Sequence, residues 1–156
     1  MDIEILLGDI TDADEILALQ KLAYQSEAAL YQDWSIPPLT QSIEEIKSEF
    51  STKTFLKAYL NSKLVGSVRV SFNRGTCFVG RLIVHPGHQK KGIGTKLMET
   101  IEKKFPSTER FELFTGSRSE GNIRLYEKLG YRIFRKERLS AKAVLVFMVK
   151  WGGILA

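Results

Sequence analysis

The chain has 156 residues, 44% of them apolar, and a formal net charge of +5. That length suits a single domain, residues 1–156, around one core, and no apolar run approaches the roughly 20 residues a membrane span requires. A single cysteine excludes an internal disulfide framework, and no metal cluster is expected. The acidic Asp2 and Glu4 argue against a signal peptide, so a cytoplasmic setting is expected. The basic residues are scattered along the chain, which fits an anionic small molecule better than nucleic acid or a membrane surface.

Ile3 to Leu7 reads as a short strand stopped by Gly8. Thr11 or Asp12 is the expected cap of a first helix, with Ile16, Leu19 and Ala23 as its buried stripe. If that helix continues, Tyr24, Glu27 and Tyr31 fall at i, i+3 and i+7 on one face. Asp33-Trp34-Ser35-Ile36-Pro37-Pro38 must interrupt it, because a proline disfavours helix at the residue before it. Ser42-Ile43-Glu44-Glu45 is a capping box, which predicts a second helix to about Phe50.

Strands follow at Thr54–Leu60, Leu64–Phe72 and Thr76–Val84, joined by turns of hairpin length. In the second of them Val68, Val70 and Phe72 alternate with Ser67, Arg69 and Ser71, the period of a sheet with one packed face. Pro86 and Gly87 stop the third. Ile93, Leu97, Ile101 and Phe105 then form one helical stripe. A strand at Arg110–Gly116, a helix at Asn122–Leu129 closed by Gly130, and a hairpin of Tyr131–Leu139 with Val144–Lys150 complete the order. The apolar tail Trp151–Ala156 is expected to fray or pack locally. The three consecutive strands should be antiparallel, and the strand-helix-strand crossing from Val84 to Arg110 should be parallel and right-handed.

The junction at Val84-His85-Pro86-Gly87-His88-Gln89-Lys90-Lys91-Gly92-Ile93-Gly94-Thr95 carries the chemistry. First-turn N–H groups and the helix dipole there attract an anion such as pyrophosphate. Gly87-x-x-x-x-Gly92 begins like a P-loop, but Ile93-Gly94 stands where lysine and a hydroxyl residue are needed. A dinucleotide fingerprint would need a third glycine, where Leu97 stands. Gln89-Lys90-Lys91-Gly92-Ile93-Gly94 after Val84-x-Pro86 instead resembles the acetyl-CoA pyrophosphate loop of the GNAT superfamily of N-acyltransferases. Asn122-Ile123-Arg124-Leu125-Tyr126-Glu127-Lys128-Leu129-Gly130-Tyr131 resembles that superfamily's later helix and the strand after it.

The resemblance implies an α+β fold, a mixed and mostly antiparallel sheet of about seven strands flanked by about four helices. It implies acetyl-CoA as co-substrate, no metal, and a small-molecule or peptide amine as acceptor, in a monomer or homodimer. On the cofactor side it points to Ile83, Val84, Gln89, Lys90, Lys91, Gly92, Ile93, Gly94, Thr95 and Asn122. Tyr126 is implied as the general acid that protonates the leaving thiolate. A phenol of ordinary pKa about 10 is a weak acid toward a thiolate whose thiol has a pKa of about 8.5, so Tyr126 must act by proximity.

An alkyl amine with a pKa of about 10.4 costs roughly 4–5 kcal/mol to deprotonate at neutral pH unless a base assists. Many relatives carry a glutamate on the central strand for this; here Arg81 occupies that region and Thr76–Val84 holds no carboxylate. Glu27, Asp33 and Glu120 are the substitutes, Glu27 foremost. Glu27 and Asp33 beside Tyr31 and Trp34 hint at a cationic amine. The alternative from another class is a non-catalytic CoA-binding regulatory module on the same fold. Cys77 is expected to be a small buried residue, and His85 and His88 to be solvated loop residues.

Overall fold

The computed structural model describes residues 2–152, so the tail beyond Gly152 lies outside the described residues. Seven strands form one sheet in the order β1-β2-β3-β4-β5-β7-β6. They are β1 (Ile3–Leu7), β2 (Thr54–Leu60), β3 (Lys63–Asn73), β4 (Thr76–Val84), β5 (Arg110–Gly116), β6 (Arg132–Arg138) and β7 (Val144–Trp151). Every pairing is antiparallel except β4 with β5. The closing hairpin is inserted in reverse, so β7 lies against β5 and β6 forms the edge.

The helices are α1 (Ala13–Ala23), α2 (Gln25–Tyr31), α3 (Pro37–Thr40), α4 (Ile43–Glu49), α5 (Ile93–Lys104) and α6 (Glu120–Lys128). The four expected helices are present, but the first is divided at Tyr24, which ends α1 and begins α2. A single turn, α3, is added where Pro37 and Pro38 occupy its opening positions, since proline needs no N–H there. The cap at the start of the first helical segment also differs from expectation. Asp12 does stand at the N-cap position of α1, but its side chain makes no cap bond there; Asp9 accepts from the Thr11 N–H at 2.8 Å and begins a short 3-10 turn just before it. Asp12 instead bonds back to the Asp9 N–H and pairs with Lys57, both at 2.9 Å. The Ser42–Glu45 capping box is formed as the sequence predicts.

The expectation of one packed face on β3 needs correction. Val68 and Val70 pack with Ile93, Leu97 and Ile101 of α5 in the main core. On the opposite face Ser67 and Arg69 are buried as well, near a second cluster of Ala13, Ile16, Leu17, Ile46 and Phe55. Arg69 is only 2% exposed. Its guanidinium pairs with Glu49 at 3.0 Å, bonds to Gln20, and lies 4.6 Å from the centre of the Phe55 ring. Alternation in the sequence reflects two different coverings, one apolar and one polar but satisfied. Phe72, by contrast, is 48% exposed at the strand's end.

The feature that positions the site is a break in the middle of the sheet. β4 pairs with β5 only through Thr76–Phe78 and Arg110–Glu112. β5 runs on beside β7 to Gly116, while β4 turns away. The β3–β4 register shows the cause: Ser67 faces Ile83 and Arg69 faces Gly80, so Val68 spans both Arg81 and Leu82. This is a β-bulge, and Arg81 adopts a left-handed backbone with φ of +50°. A bulge bends and twists its strand, which carries Val79–Val84 away from β5 and opens a seam.

Candidate active site

At one end of the seam the turn after β4 is tied down by its own side chains. His85 Nδ1 accepts from the Gly87 N–H at 2.9 Å, and the Gln89 side chain donates to the Val84 carbonyl at 3.0 Å. His85 is therefore a cap within the turn and not only a solvated residue. Lys90 and Gly92 both have left-handed backbones, with φ of +61° and +81°. Gly92 is the N-cap of α5 and supplies no side-chain bond. The N–H groups of Ile93, Gly94 and Thr95 consequently have no intrahelical acceptor, because the first such bond is Lys96 N–H to the Gly92 carbonyl at 3.0 Å.

These residues line a cavity of about 560 Å³ together with Val84, Gln89 and Lys90. Asn122, Arg124 and Lys128 of α6 close its other side. Unfilled N–H groups, the positive end of a helix and three cations make an anion site. Lys91 is outside this lining, and its Nζ lies 3.4 Å from His88 Nδ1. Arg124 and Lys128 were not singled out from the sequence, although their i, i+4 spacing on one helical face was the available signal.

Along the seam a second cavity is lined by Ile83, Val84, Gln89, Asn122 and Leu125 on one side and the Leu22–Glu27 stretch on the other. A third, of about 270 Å³, lies between the diverging strands. Val79–Leu82 of β4 and Leu113–Gly116 of β5 form its walls, with Tyr24, Glu27, Tyr31 and Asp33 over them and Asn122 and Tyr126 from α6. Asn122 lines all three cavities, so they are segments of one cleft.

Glu27 sits where the second and third segments meet. Ser119 Oγ donates to its carboxylate at 2.6 Å, and Asn122 Nδ2 lies at 3.5 Å. The Tyr31 hydroxyl is 2.9 Å from Ser119 Oγ and accepts from the Arg118 N–H at 3.0 Å. Since a carboxylate can only accept, the serine proton goes to Glu27, and Tyr31 must donate to Ser119. The chain Arg118 N–H, Tyr31, Ser119, Glu27 therefore runs in one direction. The sequence placed Tyr31 on one helical face with Glu27 but gave it no role in orienting that carboxylate, and Ser119 was not singled out.

Tyr126 is buried beside this network, and its hydroxyl has no hydrogen-bond partner among the described residues. Burial pushes its pKa above the ordinary phenol value, with the nearby Tyr24 and Glu27 adding to the effect. Burial also raises Tyr24, opposed by the charge of Arg81. The other two carboxylates considered are placed less well. Asp33 lines the third segment but accepts from Ser35 backbone and hydroxyl at 2.9 and 2.5 Å. Glu120 is 81% exposed on α6, 3.9 Å from Arg124. Trp34 is 57% exposed and outside the lining. Cys77 is buried, as expected, and burial pushes its thiol up to about 12.

Among the described residues no group of three or more His, Cys, Asp and Glu could hold a metal ion, and no helix is long and apolar enough to cross a membrane. YqkA of Bacillus subtilis (strain 168), called a UPF0157 protein, is 30% identical over 124 residues, 80% of this chain. That match covers 36% of YqkA, so the chain spans about a third of this relative's length. Among solved structures, the PaiA N-acetyltransferase of Thermoplasma acidophilum, in complex with coenzyme A, superposes with a TM-score of 0.80. It is 21% identical, over 97% of this chain and 99% of that one. For yncA of Salmonella typhimurium, solved with its cofactor acetyl-CoA, the TM-score is 0.76 at 18% identity, over 97% and 94% of the two chains. At such identities these two likenesses speak for the fold alone. The family model of the acetyltransferase (GNAT) family matches residues 14–131, so its span includes the bulged strand, the anion loop and Tyr126 together, and the chain belongs to that family.

Proposed function

We propose that this chain is an N-acetyltransferase that moves an acetyl group from acetyl-CoA to a primary amine by direct attack while both are bound. The observation that carries the reading is the single cleft with free first-turn N–H groups at one end and Glu27 and Tyr126 at the other. The residues fit the co-substrate: Ile93, Gly94 and Thr95 would hold its pyrophosphate, with Lys90, Arg124 and Lys128 supplying countercharge. The pantetheine arm would follow Ile83, Val84 and Leu125 to Asn122. The complexes of the two structural relatives with coenzyme A and acetyl-CoA support the same choice.

When bound, the thioester supplies an activated acyl carbon: the amine lone pair forms the C–N bond, the C–S bond breaks, and its electron pair leaves on sulfur. Tyr126 donates a proton to that sulfur; burial raises its pKa, which makes the phenol a weaker acid, so it acts by proximity in a dry site. Glu27 takes the proton the amine loses, held in place by Ser119 and Asn122. A lone, buried cysteine suits a reducing compartment, and a cytoplasmic setting belongs to this proposal.

Thermal unfolding with and without acetyl-CoA, on wild type and on Gly92→Asp, tests the site. A ligand at a hundred times its Kd adds about 2.7 kcal/mol. Stabilisation of the wild type alone, followed by thiol release with an amine panel, is the expected result. Stabilisation with no thiol release for any amine would leave a CoA-binding module without activity, and no stabilisation would remove the reading altogether.

A further inference from the structure

Arg81 is a cation without a counter-ion. Its backbone is left-handed inside a strand, a conformation that costs a residue with a Cβ about 1 kcal/mol. The side chain lines the third segment of the cleft, and its Nε is buried with no hydrogen-bond partner among the described residues. No carboxylate of the described residues lies within ion-pair distance of it. The two carboxylates of the same pocket are engaged elsewhere, Glu27 by Ser119 and Asp33 by Ser35. The neighbouring Arg69 has its own partners in Glu49, Gln20 and Gln41, and so adds positive charge without neutralising Arg81. A guanidinium cannot escape by losing its proton near neutral pH, and the Tyr24 hydroxyl beside Arg81 is neutral, so a half-buried cation without a counter-ion favours any anion that can reach it.

The rest of the pocket limits what that anion is attached to. Ile36, Pro37, Pro38, Val79, Leu113 and Leu145 give it apolar walls. Its volume, about 270 Å³, falls just under the usual range of small-molecule sites, about 300–1,000 Å³. A long polycation would meet the charge of Arg81. Of the aromatic residues that could face an ammonium, Tyr31 already has Arg118 5.7 Å from its ring centre, and Trp34 is outside the lining. The charge of Arg81 weighs against the cationic acceptor hinted at by Glu27, Asp33, Tyr31 and Trp34.

We propose that the acceptor is a small apolar α-amino acid, its carboxylate held by the Arg81 guanidinium in a two-point fork and its amine directed to Glu27 and Tyr126. This rests on the N-acetyltransferase reading and adds the class of acceptor to it. The bulge then has a second role: besides opening the seam, it swings a fork-shaped cation into the space where the amine-bearing molecule must lie.

The test compares L-leucine, L-leucinamide, 3-methylbutylamine and spermidine as acceptors, with thiol release as the readout. The expected result is a kcat/KM for L-leucine about 10- to 100-fold above those of the three compounds lacking a carboxylate, the range for losing hydrogen bonds to a charged group. In Arg81→Gln, stabilisation by acetyl-CoA confirms a folded protein, and the advantage of L-leucine over L-leucinamide collapses through a rise in KM. Equal or better use of L-leucinamide or spermidine by the wild type overturns the inference while leaving the transferase reading in place. So does an Arg81→Gln protein that keeps the preference for L-leucine. Thiol release with none of the four, nor with other apolar amino acids or simple amines, would bring down the transferase reading and this inference with it.

Discussion

The Tyr31 hydroxyl oxygen lies 1.9 Å from the point where a Cβ on Gly116 would stand. The contact joins the end of α2 to the end of β5, the strand from which β4 has separated. It also fixes the phenol that donates to Ser119, and through it the orientation of the Glu27 carboxylate. The space left by one hydrogen atom thus sets the position of the proposed base.

Gly116→Ala should displace Tyr31 and cost about 1–3 kcal/mol, the usual range for overpacking. Tyr31→Phe in the same protein should not restore it, because the ring carbon Cζ itself would be 2.5 Å from the new methyl. Urea denaturation of the single and double variants checks both statements.

Tyr126→Phe should lower kcat by about 100-fold without abolishing turnover, the scale of a lost general acid. Because burial holds the Tyr126 phenol above its ordinary pKa of 10.0, the wild-type rate should show no loss assignable to this group as pH rises toward that value. A pH profile of kcat in both proteins is the measurement. A basic limb below about pH 10 that is present in the wild type and missing in the variant would overturn the raised pKa while leaving Tyr126 as the acid.

Glu49 is the charged partner of buried Arg69. Burial works to raise its pKa, but the Lys53 hydrogen bond, the Arg69 charge and the Gln41 hydrogen bond outweigh it, and the net shift is downward. A carboxyl whose folded pKa is depressed contributes stability above its unfolded pKa, near 4.5, and loses it as pH falls through the folded value. Glu49→Gln should therefore cost about 2 kcal/mol at pH 7, less than for a fully enclosed pair because the carboxylate side chain is 18% exposed. The gap between the two proteins should close on acidification well below pH 4.5. Calorimetry across that range would show it.

Cys77 should not react with iodoacetamide in the native protein at neutral pH, because burial pushes its thiol up to about 12 and the thiolate is the reactive form. Intact-mass measurement after incubation with acetyl-CoA alone should show no acetylated protein. An acetyl group found on Cys77 would replace direct attack by a two-stage route.

Much of the architecture was legible because its signals are local. The Ser42–Glu45 capping box, the Ile93–Leu97–Ile101 stripe and the left-handed stop at Gly130 depend only on residues within a turn or two of each other. The strand limits and the parallel crossing from β4 to β5 followed from the same short-range patterns and from chain connectivity. The helix start after β4 was legible for a similar reason: unfilled N–H groups belong to a helix start wherever it lies.

What was not legible depends on register and on which segments meet. The division of the first helix at Tyr24 carried no punctuating glycine or proline in the sequence, whereas the Asp9-x-x-Asp12 capping box was a local signal that was passed over. Arg69 looked like a solvent-side residue until α1 and α4 covered it and Glu49 and Gln20 satisfied it. By itself, the sequence determined the elements, their order and the glycine-rich start of α5, because each is written within a few neighbouring residues. Only the tertiary structure decided that Arg81 bulges out of β4 to open the cleft, and that Tyr31, Ser119 and Glu27, up to 92 positions apart, line up inside it. Those relationships are set by strand pairing and close contact between distant segments, which no local pattern encodes.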